Sequence, residues 1–254
     1  MPSMTITNIM EITKQVTIGE MVANDHRAAT VFESLGISFC CNGSQTLEDA
    51  CESKKIDVIS VTEALDQVQT KQGVGSMDLN FWPLNILADY IEKKHHRFIE
   101  DRIPLLLLYL NKLCKVHGEV HRELLEITQL FSQTVKELRS QMEKEESILF
   151  PYIRKMLKKY NEGVLTVEAP YFRSVRNPIM MMMQEHEREG IRFEKIASLT
   201  NNFMPPADAC NTYRVTYALL DEFKSDLHTN IHLVNNILFP KTIDMEDNLL
   251  HKQA

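Results

Sequence analysis

From Pro83 onward the apolar positions recur at helical spacing. The first helix begins near Pro83 and runs through LNILADYIEKKHHRFIEDRIPLLLLYLNKLC, with Pro104 expected to kink it. The apolar run from Ile103 to Leu110 covers about two helical turns, too little for a bilayer, and reads as core packing. A second helix spans about Val120 to Met156, with Leu124, Ile127, Leu130, Phe131, Val135, Leu138 and Met142 on its apolar stripe and Pro151 near its end. Leu157 to Asn177 is loop-like. A third helix follows from Pro178 to about Asn202, and Met204-Pro205-Pro206 breaks the chain before a fourth that reaches about Phe239. Four long helices without strand alternation predict an all-α protein with a four-helix bundle.

Ahead of the bundle, residues 17–72 carry shorter periodic segments, TIGEMVANDHRAATVFESLG, TLEDACESKKID and SVTEALDQVQT, broken by Gly36 and Gly43. They predict a small domain of short helices. The stretch GVGSMDLN is poor in apolar residues and suits a linker, so the expected division is 17–72, a linker over 73–82, and a bundle over 83–242.

Within the bundle, QMEKEESILFP (141–151) and NIHLVNNILFP (230–240) align without a gap. Helices two and four are therefore expected to end alike, on a shared Ile-Leu-Phe-Pro that packs as core and stops the helix.

Charge and cysteine usage narrow the function classes. Among the 254 residues, 44% are apolar and 25% charged, and the formal net charge is -7, which disfavours phosphate backbones and anionic lipid as partners. The sequence MPSMTITNIMEITKQ reads as neither secretory signal nor membrane anchor, which makes the cytoplasm the expected compartment. Cys40, Cys41, Cys51, Cys114 and Cys210 are unevenly spaced and do not form a secreted disulfide framework. Cys114 and Cys210 read as core. No nucleophile with an evident base, phosphate-binding glycine loop or dinucleotide fingerprint is visible, so no conventional catalytic cycle is read and enzyme status stays open.

A bundle can hold metal by pointing histidines and carboxylates inward from facing helices. His96 on helix one, Glu145 on helix two and His186 on helix three are one candidate ligand each, a donor set suited to iron. His95, His117 and His121 compete, but the last two form an i, i+4 pair near the start of helix two and read as surface. The adjacent thiols Cys40 and Cys41 could be redox-active, bind a soft metal or exchange iron or sulfur; a small buried structural role is the other reading, and Cys51 is a third thiol of either kind. Met180 to Met183 surround a helix rather than converge, and read as adaptable packing.

The segments FESLGISFCCNGSQTLEDAC, HHRFIEDRIPLLL, EKEESILFPYI, PIMMMMQEHEREG and NNILFPK together resemble the iron-sulfur cluster repair di-iron proteins, the Repair of Iron Centres family, from about residue 17 to 242. The resemblance implies a hemerythrin-like bundle behind a cysteine-pair domain. It also implies a non-haem di-iron centre of four histidines and two bridging glutamates, and restoration of clusters damaged by nitric oxide or oxidants. Carried over by position, it matches His96, Glu145 and His186 as metal ligands and gives Cys40 and Cys41 a functional role. Gln141 stands where helix two should carry histidine, and Asn230 and Val234 stand where helix four should carry histidine and glutamate. His228 and His232 lie two residues from Asn230, about 200° around the helix, and point elsewhere. Two readings follow: iron donation to damaged iron-sulfur proteins, with a second copy of the chain as a further partner, or a metal-free or mononuclear paralogue or variant serving as a binding or regulatory module.

Overall fold

The computed structural model describes residues 16–25, 28–37, 39, 43–70, 79–163 and 172–251. Every named element among the described residues is helical, with no named strand, and the only bridge among them pairs Thr17 with Thr46. Contacts divide the chain into two compact units, Met1–Pro83 with His232–Pro240, and Leu84–Ile231 with Lys241–Ala254. Residues 73–78 of the expected linker, and Cys40 and Cys41, lie outside the described residues.

The smaller unit contains α1 (Ile18–Asn24), α2 (Ala28–Ser34), α3 (Leu47–Lys54) and α4 (Val58–Thr70). Thr17 starts α1 through a reciprocal capping box with Glu20, and Thr46 starts α3 by accepting from Asp49 N. Gly36 takes φ +65°, the left-handed turn that glycine adopts at no steric cost. Ile18, Val22, Phe32, Leu47, Cys51 and Val61 form its core. Asn236 lies within the same unit and donates to Phe39 O at 3.2 Å.

The bundle helices are α5 (84–117), α6 (123–161), α7 (Arg176–Leu199) and α8 (211–251). Three of them are interrupted by a π-helical turn: Ile91–His96 in α5, Glu145–Leu149 in α6 and Val234–Leu238 in α8. The two repeat copies therefore carry the same turn at the same register. Neither Pro151 nor Pro240 ends its helix, contrary to expectation: α6 continues to Asn161 and α8 to His251. The physical reason is the widened turn, where Phe150 N–H reaches Glu145 O and Phe239 N–H reaches Val234 O, five residues back. A proline just beyond such a turn meets a ladder already opened.

In the larger unit Phe131, Phe193 and Phe223 bring α6, α7 and α8 together, with centroids 5.4 to 6.4 Å apart. Ile103, Leu106 and Leu110 are buried as expected, while Leu108 faces solvent on the other side of α5. The packing assigned to the methionine run holds for Met182 alone; Met180, Met181 and Met183 are exposed, as a helix surface requires. No helix among the described residues is long and apolar enough to cross a membrane.

Candidate metal centre

The π turns place functional groups where the helices face one another. His96 closes the turn in α5 and Glu145 opens the one in α6, and both are fully buried. His96 Nε2 stands 3.0 Å from Glu145 Oε2, out of line for a hydrogen bond, so both atoms remain without a hydrogen-bonding partner. The other carboxylate oxygen, Oε1, lies 3.8 Å from His186 Nε2 on α7. One carboxylate thus turns one oxygen toward each imidazole.

The surrounding side chains orient this core. His96 Nδ1 is 2.8 Å from Glu146 Oε1, and its ring stacks on Phe150 at 5.9 Å. Burial by itself would lower the His96 pKa, but the carboxylates of Glu145 and Glu146 outweigh it and hold the imidazole above its ordinary value. Gln141, one turn before Glu145, sets its amide nitrogen against His186 Nε2. Its Oε1 is buried and partnerless, as is Asn230 Oδ1 at the equivalent repeat position of α8. Val234, equivalent to Glu145, is buried and contributes no donor atom.

The sequence-derived candidates thus separate by geometry. His96, Glu145 and His186 come together; His95 instead directs Nδ1 to Asp226 at 3.0 Å. His232 packs its ring edge on Phe39 and is 2.9 Å from Asn236, so it is engaged away from Asn230's direction. Its burial pushes its pKa down to about 4. His228 is buried as well. Cys51 is buried on the inner side of α3, whereas Cys114 is half-buried and Cys210 is exposed, correcting the assignment of Cys210 to the core. It begins the fourth bundle helix from a loop, with its Sγ 3.3 Å from His117 Nε2, while His121 Nε2 lies 3.1 Å from both oxygens of Asp208. This thiol–imidazole pair was invisible in the sequence because 93 positions separate its members.

Sequence reasoning also missed Glu189, fully buried one turn beyond His186 and paired with Arg192, which in turn reaches Glu137 at 2.9 Å and Thr134 at 3.4 Å. The HEREG spacing was its only signal, and it reads equally as an exposed charge run.

The donors can be tested against a metal. Two imidazoles and a carboxylate suit one first-row ion such as iron, and both Glu145 oxygens, buried without hydrogen-bonding partners, offer lone pairs that a cation can accept. They do not suit two ions, because among the described residues Glu145 is the only carboxylate turned toward both imidazoles. Among the described residues, no three histidine, cysteine, aspartate or glutamate side chains are already gathered as a finished metal cage.

A four-helix scaffold that faces histidines and a carboxylate inward defines a class, and residues 88–242 match the hemerythrin HHE cation binding domain. Residues 14–69 match ScdA_N, a domain of unknown function (DUF542). The chain is 31% identical over 230 residues to the iron-sulfur cluster repair protein YtfE of Musicola paradisiaca, covering 91% of this chain and 97% of that protein. It is 32% identical over 227 residues to the proteins of the same name from Yersinia pestis and Yersinia pseudotuberculosis, covering 89% of this chain and 96% of each. The chain belongs to this family of hemerythrin-domain cluster repair proteins.

Proposed function

We propose that the protein restores damaged iron-sulfur clusters by holding iron among His96, Glu145 and His186 and yielding it to client proteins, in the setting of nitric oxide or oxidative damage. The observation that carries this reading is the buried Glu145 carboxylate, which turns one oxygen toward His96 and the other toward His186. Its relatives bear the name of cluster repair proteins over nearly their whole length.

Each residue has a defined part. Glu145 supplies the negative charge that makes a cation welcome in a water-poor layer, and Glu146 holds the His96 ring so that Nε2 points inward. The imidazoles bind through neutral nitrogen, so acid weakens retention. Incomplete ligation favours a labile ion, which suits cargo. Cys40 and Cys41 would meet the client's thiols or sulfide; a second copy of the chain is the other partner proposed, and nucleic acid is not one, given the net charge of -7.

The test is repair of a nitric-oxide-damaged cluster enzyme by anaerobically purified protein loaded with ferrous iron. The unaltered chain is expected to restore client activity, and Glu145→Ala to lose at least about tenfold of it, the range for disrupting a metal site's supporting groups. A folded chain that retains no iron and restores nothing would sink the proposal.

A further inference from the structure

We infer that this site holds a single metal ion, chelated by His96, Glu145 and His186 and completed by the amide oxygens of Gln141 and Asn230, rather than the pair of ions the family resemblance implies. The inference rests on the iron-holding reading above and specifies its stoichiometry and ligands.

Charge is the first argument. Among the described residues, Glu145 is the only carboxylate set against both His96 and His186, and the residue that aligns with it in the sequence repeat, Val234, carries no charge. Two ferrous ions would leave about three uncompensated positive charges there, and one ion leaves about one. Glu189, a fully buried carboxylate on α7, is paired with Arg192.

The second argument is the distribution of unpaired atoms. His96 Nε2, both oxygens of Glu145, Gln141 Oε1 and Asn230 Oδ1 are buried without hydrogen-bonding partners. Each is a lone-pair donor, and a buried polar atom left unpaired is costly. Gln141 and Asn230 hold matching positions of the sequence repeat, and one cation accepts the lone pairs of all five atoms. Amide oxygens are weak but competent ligands for hard and borderline cations.

The third argument is spacing. Cis ligands at about 2.1 Å from an octahedral ion stand about 3.0 Å apart, and His96 Nε2 and Glu145 Oε2 are separated by 3.0 Å. His186, at 3.8 Å from Oε1, needs only a modest rotation. A half-turn of the Gln141 amide exchanges its nitrogen for its oxygen, so that this oxygen and the His186 Nε2 lone pair can face one shared cation. The π turns in α6 and α8 are retained even though α8 has lost its carboxylate, so the backbone still directs Asn230 and Val234 at the registers of Gln141 and Glu145.

The experiment is anaerobic ferrous titration of the full chain, read by elemental analysis after desalting and by electron paramagnetic resonance after oxidation. One iron per chain, with the resonance of an isolated high-spin ferric ion, is expected. Gln141→Ala and Asn230→Ala should each weaken affinity about tenfold without changing the plateau, and the combined Gln141→His, Asn230→His and Val234→Glu variant should take up a second iron. Two irons in the unaltered chain, coupled and silent in resonance, overturn the inference while leaving the iron-holding reading intact. A folded chain with no iron overturns both. Unchanged affinity in the two alanine variants removes the amides from the ligand set.

Discussion

At the scale of single residues, burial decides what each charged group can do. Burial raises the Glu189 carboxyl to about 7, and the nearby Glu137 adds to the rise; the Arg192 guanidinium and the Thr134 hydroxyl oppose it without cancelling it. With the folded pKa above the unfolded one, the native state keeps its proton longer as pH rises. Stability contributed by protonated Glu189 is therefore present below about pH 4.5 and is lost progressively up to about pH 7. Glu189→Gln should flatten that part of the profile, so that urea midpoints measured at pH 5 and pH 7.5 differ less than in the unaltered chain. An unchanged difference would place the titration elsewhere. The same scale shows what spacing in the sequence conveyed. His96, Glu145 and His186 stood out by residue type, but Glu189 and the orphaned amides did not, because only a neighbour's distance distinguishes a buried polar group from a solvated one.

At the scale of elements, the π turns explain why the shared Ile-Leu-Phe-Pro continues rather than ends its helices. Helical periodicity announced the four bundle helices well, since each buries one apolar stripe. It could not announce the turns, whose widened ladder is set by what the helix packs against. In the smaller unit the close approach is equally specific: a Cβ on Gly43 would fall 2.6 Å from Asn236 Oδ1 and 2.9 Å from Phe39 O. Gly43→Ala should destabilise that unit by about 1–3 kcal/mol, the usual cost of overpacking. Limited proteolysis is expected to cut faster within residues 16–70 while a bundle-sized fragment persists, and equal protection of both regions would show that Asn236 swings aside freely.

At the scale of the whole molecule, an ion bound only by the folded chain stabilises it by mass action. At a free iron concentration about 100 times the dissociation constant the gain is about 2.7 kcal/mol. For a chain of this size that corresponds to a Tm rise of roughly 5–10 °C, reversed by a chelator. A Tm indifferent to ferrous iron in unaltered protein would mean that the buried donors hold nothing.

Periodicity and composition by themselves determined that this is a helical bundle behind a small helical module, and which residue types could meet a cation, because a helix's buried face repeats every turn. Only the tertiary structure decided which candidates converge. It turned His95 to Asp226 and His232 to Phe39, set Cys210 in the open beside His117, and left the Gln141 and Asn230 amide oxygens buried without hydrogen-bonding partners. Those outcomes depend on distances between residues tens of positions apart, and helix packing fixes such distances where a face pattern does not.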